Sequence, residues 1–134
     1  MELYRITSIS ISKIIAESYS TSFSAGIRLL DAKEREAIYA IYGFVRIADE
    51  IVDTFHDFDR KLLLEEFIQD TEKALDRRVS SNPILHSFQW AVSEFKIDKN
   101  LINSFFASME MDLAKHNYQM EHIHLQQIYF FPLK

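Results

Sequence analysis

Apolar residues recur at three- and four-residue intervals through most of the chain, and the breaks in that rhythm divide it into helices. An opening segment around Ile9 to Glu17 sets Ile11, Ile14 and Ile15 at helical spacing, although its Ser and Ile content lowers intrinsic helix propensity. After "YSTSFSAGIRLL", Asp31 stands three residues before Glu34 in the manner of a capping box. Asp there accepts from the open backbone N–H groups, while Glu sits at the positive end of the helix. From that point "AKEREAIYAIYGFVRIADEIVDTF" reads as one unbroken helix of about six turns. "DRKLLLEEFIQDTEKALDRRV" then places Leu64, Phe67, Ile68, Thr71 and Leu75 on one stripe with charges opposite. "SSNP" at 80–83 is the clearest breaker. Beyond it "ILHSFQWAVSEF" carries Leu85, Phe88, Val92 and Phe95, and "DKNLINSFFASMEMDLAKH" carries Ile102, Phe105, Phe106, Met109 and Leu113, all at helical intervals. No repeat, linker or low-complexity tract separates these segments. Each has one apolar face to hide, which predicts a single all-α domain over residues 1–134, built as a helical bundle.

Composition agrees. Two Gly and two Pro in 134 residues argue against a turn-rich β fold, and eleven Phe within a 48% hydrophobic chain supply a core. The formal charge is -5 and the basic residues are scattered, so no footprint for nucleic acid exists. Without cysteine there is no disulfide, thiolate zinc site or thiol nucleophile, which fits a reducing compartment. Glu2, Arg5 and Lys13 interrupt any apolar leader and no stretch has the length of a membrane span, so the expected location is cytoplasmic.

The long central segment raises a chemical question. Tyr42, Arg46, Asp49 and Asp53 follow one another at i, i+4, i+7 and i+11 and therefore share a stripe, while Ile38, Ile41, Phe44, Val45, Ile47, Ile51 and Val52 wrap most of the remaining circumference. A polar stripe on such a helix faces a cavity or a partner. Two carboxylates one turn apart repel each other unless a cation lies between them, and hard oxygen donors favour Mg²⁺, which takes phosphate oxygens and waters as its other ligands. Arg46 can pair bidentately with the same phosphate. The spacing equally permits a solvated face with an intrahelical ion pair of Arg46 with Asp49 or Glu50, and Tyr42 as a half-buried core residue.

Other groupings carry less. His116, His122 and His124 gather near Asp112, but a polar His cluster without Cys reads as solvated, as does His56 beside Asp57. Met109 and Met111 read as core filler. Ser20 and Ser22 have no sequence-local base or nucleophile elbow, which disfavours hydrolase chemistry.

"YSTSFSAGIRLL" followed by "EREAIYAIYGFVRIADEIVD" resembles the N-terminal signature of the squalene and phytoene synthases, the head-to-head prenyl transferases. The Ser-x-Ser-Phe segment is matched by Ser20, Ser22 and Phe23. Tyr42, Arg46 and the first DxxxD, Asp49 and Asp53, follow, with Glu50 at the second acidic position. "FFASMEMDLAKHNY" is similar to the family's Met-Asp-Leu segment before a Tyr, here Met111, Asp112, Leu113 and Tyr118. The likeness runs from about Tyr19 to Tyr118, and "SMEMDL" leans toward the phytoene synthase branch.

The resemblance implies an isoprenoid-synthase helical fold and condensation of two polyprenyl diphosphates, farnesyl or geranylgeranyl. It implies Asp49 and Asp53 as catalytic Mg²⁺ ligands, Arg46 as a diphosphate-binding residue, and Ser20, Ser22 and Tyr42 as hydrogen-bond partners of that group. Phe23 lines the prenyl cavity on the same reading. Family members are longer, and their second aspartate-rich motif lies beyond the end of this chain. "LQQIYFFPLK" does not resemble the family helix at that place, so residues 130–134 read as an atypical tail and truncation or a frame change near Tyr129 is expected. Apolar faces left uncovered by a missing half would favour a homodimer. The alternative function is a catalytically inactive helical remnant serving as an oligomerisation or interaction module. Peripheral membrane contact stays open, because the products of such enzymes are lipids.

Overall fold

The computed structural model describes the backbone of residues 1–130 and the side chains through Lys115, Ser24 excepted. The side chains of His116, Tyr118, His122 and His124 and most of the 130–134 tail lie outside the described residues. The described part is all-α: α1 (Glu2–Tyr19), α2 (Thr21–Gly26), a 3-10 turn (Ile27–Leu29), α3 (Ala32–Asp53), α4 (Arg60–Arg77), α5 (Pro83–Phe95) and α6 (Lys99–Phe130). No helix among the described residues is long and apolar enough to cross a membrane.

Short polar residues set the boundaries. Asp31 accepts from Glu34 N at 2.8 Å, Asp59 from Leu62 N at 3.1 Å, and Asn82 from Ile84 N at 2.9 Å, each occupying an N–H that lacks a partner in the first turn. Pro83 opens α5, where its missing N–H costs nothing. α4 and α5 end where Arg78 and Lys96 turn left-handed, at φ of 58° and 52°. The C-terminus of α3 is capped across the following turn by buried Arg60, whose Nη1 donates to Val52 O at 2.7 Å.

α3 runs through the middle, and Phe44 is its anchor. Its ring stacks on Phe88 of α5 at 3.7 Å between centroids and on Phe67 of α4 at 5.3 Å, with Phe105 and Phe106 of α6 both at 5.6 Å. The stripes read from the sequence converge here. Leu64, Phe67, Thr71, Leu85, Phe88, Ile102, Phe106 and Leu113 are buried, and Ile68, Leu75, Val92, Phe105 and Met109 pack against them. Phe95 departs from its stripe and is 42% exposed, because α5 stops at that residue and leaves its last turn uncovered.

α1 differs from expectation in extent and in face. It begins at Glu2, and its interior side is Ser8, Ile9, Ser12 and Ala16, whereas Ile14 is 63% exposed. Ile11 and Ile15 pack at the flanks of the core. The cause is a close crossing. A Cβ at Gly43 of α3 would lie 2.8 Å from Ser12 Oγ, so only small residues fit the seam. Ser12 Oγ in turn shares a 2.8 Å hydrogen bond with Ser87 Oγ of α5, which makes burial of both hydroxyls tolerable. The N-terminal end of α1 is tied down by Tyr4, whose hydroxyl donates to Ser80 O at 2.7 Å.

Candidate functional site

The last three turns of α3 present Tyr42, Arg46, Asp49 and Asp53, and Arg46 is the best-held of them. Its Nη2 donates to Glu50 Oε1 at 2.6 Å, and its Nη1 lies 4.0 Å from Asp49 Oδ2. The guanidinium sits 4.5 Å above the ring of Tyr19, the final residue of α1. The intrahelical pair with Asp49 and Glu50 is therefore present, as the plain alternative has it, but it is largely withdrawn from solvent. The Arg46 side chain is 23% exposed, that of Glu50 13%, and Arg46 Nε is buried with no hydrogen-bond partner among the described residues. Among the described residues the guanidinium thus keeps an unused donor.

Electrostatics sharpen the picture. Burial pushes the Asp49 carboxyl above the usual aspartate range against the pull of Arg46, and the charges of Asp53, Asp112 and Glu50 add to the rise. Asp112 belongs to α6, whose neighbouring Leu113 is buried in the core, so a second helix brings its acid to bear on Asp49. Glu50 moves the other way, held below the usual glutamate range first by the hydrogen bond from Arg46 and then by Tyr19. The same carboxylate raises the Tyr19 phenol. Asp49, Glu50 and Asp53 also stand at the negative end of the α3 dipole, with no basic residue in its last turn. Arg46 and the buried Arg60 on Val52 O are the cations that face these acids.

The remaining candidates divide. Phe23 and Tyr42 meet, their rings 4.5 Å apart, in an apolar patch with Ala16, Ile27 and Tyr39. Ser20 spends its hydroxyl as the N-cap of α2, accepting from Phe23 N at 3.1 Å, and Ser22 is exposed. Among the described residues neither hydroxyl bonds to Arg46, Asp49 or Asp53. Three participants were not assigned to the site from the sequence: Tyr19 under Arg46, Arg60 on Val52 O, and Asp112, whose charge acts on Asp49. Only Asp112 had a signal, since it falls in the second matching segment; a cation over an aromatic ring leaves no local pattern.

Among the described residues no group of three or more acids or histidines closes on a metal ion. Asp49 and Asp53 supply two hard carboxylates on one helix, one turn apart. The pair fits Mg²⁺ as a two-carboxylate site completed by water and phosphate oxygens.

The all-α bundle, with the arginine and aspartate stripe on its central helix, is consistent with the isoprenoid-synthase helical fold. The family model for squalene/phytoene synthase matches residues 16–127, and the chain belongs to that family. It is similar to a presqualene diphosphate synthase of Rhodopseudomonas palustris, 28% identical over 93 residues, which are 69% of this chain and 33% of the relative. A 4,4'-diapophytoene synthase of Staphylococcus haemolyticus is 28% identical over 103 residues, 73% of this chain and 35% of the relative. A presqualene diphosphate synthase of Zymomonas mobilis is 40% identical over 58 residues, 42% of this chain and 20% of the relative. The chain spans about a third of the length of the first two of these relatives. Their names differ in product, so the lean toward phytoene synthase rests on "SMEMDL" alone.

Proposed function

We propose that the chain serves head-to-head condensation of two polyprenyl diphosphates and supplies the first aspartate-rich side of the site. The observation that carries this is the Arg46, Asp49 and Asp53 stripe, with Arg46 Nε buried and without a hydrogen-bond partner among the described residues and Asp49 raised by burial and by surrounding acids. Arg46 binds the diphosphate by exchanging Glu50 for phosphate oxygens, a better match for its planar fork. Asp49 and Asp53 are the residues that would hold Mg²⁺, which when bound neutralises the diphosphate and eases its departure. Tyr19 keeps the guanidinium oriented from below. Tyr42 and Phe23 form apolar wall beside the reacting chain, where exclusion of water protects a carbocation. Ser20 contributes by fixing the start of α2 and hence Phe23.

A second reading has some support in the exposure of Leu29 and Phe58, at 93% and 70%: an inactive module that oligomerises through apolar surface. Calorimetric titration with a non-hydrolysable farnesyl diphosphate analogue, with and without Mg²⁺, separates the two. The synthase reading expects saturable Mg²⁺-dependent binding that weakens at least about tenfold in Asp49→Asn and Asp53→Asn, as for loss of a charge-assisted contact. Indifference to both substitutions, together with a dimer mass, would establish the module instead.

A further inference from the structure

A second accumulation of charge, opposite in sign, lies between α1, the 27–29 turn and α3. A hollow of about 330 Å³ there is lined by Lys13, Glu17, Arg28, Arg35 and Tyr39. Three cations thus face one carboxylate in a chain whose net charge is -5. Glu17 is already engaged, 3.9 Å from Lys13 Nζ. Lys13 Nζ also lies 5.8 Å from the centroid of the Tyr39 ring, which forms the floor. Neither Arg28 nor Arg35 makes an ion pair with a described residue, although the charge of Arg35 acts on Asp31 at the start of α3. An adjoining hollow of about 250 Å³ shares Lys13, Arg35 and Tyr39 and opens toward Ser10 and Ile6 of α1; the carboxylate that lines it, Glu36, lies 3.7 Å from Arg5 Nη1. Arg35 precedes Arg46 by about three turns of α3, roughly 16 Å along the axis, so this hollow is separate from the Arg46 stripe.

Convergent cations with too few counter-charges repel one another, and an anion seated among them removes that repulsion. Two arginines with planar donor forks and one lysine as a point charge are the set that suits phosphate. We propose that Lys13, Arg28 and Arg35 form a second anion site that takes a phosphate group. The source is a small phosphorylated solute or a lipid headgroup. Two residues next in sequence to these cations bear on that choice: Ile14 follows Lys13 and is 63% exposed, and Leu29 follows Arg28 and is 93% exposed. Apolar side chains beside a basic pocket suit the boundary layer of a bilayer, whereas a dissolved phosphate has no use for them.

The test uses the full chain in Mg²⁺-free buffer and two probes. Inorganic phosphate is titrated calorimetrically, and phosphatidylcholine vesicles with and without phosphatidylglycerol are used in co-sedimentation. Saturable binding of at least one probe is expected. It should weaken at least about tenfold in Arg28→Ala/Arg35→Gln and fall as salt rises. Lys13→Gln, at an exposed position, should weaken the same binding in part, and far-UV circular dichroism checks that each variant is folded. Vesicle binding that Leu29→Gln abolishes assigns the phosphate to lipid. Phosphate binding indifferent to Leu29→Gln assigns it to a solute. Failure of both probes to bind, or undiminished binding in the double variant, overturns the site.

Discussion

Arg46 meets Glu50 through a hydrogen bond, Asp49 at the limit of an ion pair and Tyr19 face-on, so its position depends on both α1 and α3. Removing the ring should free the guanidinium without unfolding the chain. In Tyr19→Leu the ¹⁵N-correlated Arg46 Nε–H resonance is expected to lose its ring-current shift, and binding of the diphosphate analogue to fall several-fold, as for loss of about 0.5–2 kcal/mol of cation–π attraction. Asp49 and Glu50 make opposite predictions for pH. A carboxyl raised in the folded state is destabilising while ionised, and the penalty is relieved as pH falls through its raised value. Asp49→Asn should therefore raise the Tm at pH 7, with the gain vanishing once pH drops below the ordinary aspartate range. Glu50, held low, contributes stability above the ordinary glutamate range and loses it as pH falls through its lowered value, so Glu50→Gln should lower the Tm at pH 7. Thermal melts of both variants between neutral and acid pH check the two signs. The stripe itself was legible because helical periodicity places i, i+4, i+7 and i+11 together. The place of Tyr19 was not, because it reaches Arg46 from another helix, and Asp112 was marked only by the segment it falls in.

At the scale of the element, the start of α3 at Asp31 and the burial of Phe44, Ile51 and Val52 follow local rules, while the helix stops at Asp53, two residues before the expected end, and also buries Tyr39, Gly43 and Ala48. α1 could not be read from such rules, because its interior face is defined by what α3 and α5 leave room for. Serine looks like a solvent residue in a periodicity argument, yet Ser8 and Ser12 are buried and Ile14 is not. Gly43→Ala should cost about 1–3 kcal/mol through overpacking against Ser12. Combining it with Ser12→Gly should recover part of that loss, giving a favourable coupling in a double-mutant cycle measured by urea denaturation. Ser8 Oγ is buried without a partner among the described residues, so Ser8→Ala should leave stability unchanged or raise it by about 1 kcal/mol.

Across the whole molecule, the aromatic cluster at Phe44 links four helices, and the helix that bears it also bears the Arg46 stripe. Phe44→Ala should lose about 3–5 kcal/mol, a large share of a typical domain's 5–15 kcal/mol, with a matching drop in the urea midpoint. Amphipathic stripes foretold which residues would form this cluster, Phe95 excepted, since where a helix stops decides whether its last stripe position is covered. Gly43 and Phe44 are adjacent, one held against α1 by the absence of a side chain and the other packed among aromatics. The contact at Gly43 is a constraint shared between two distant codons. Among homologous chains, a larger residue at position 43 should appear only where position 12 has shrunk or α1 has moved away, so the two columns of an alignment should covary even though neither residue touches the chemistry.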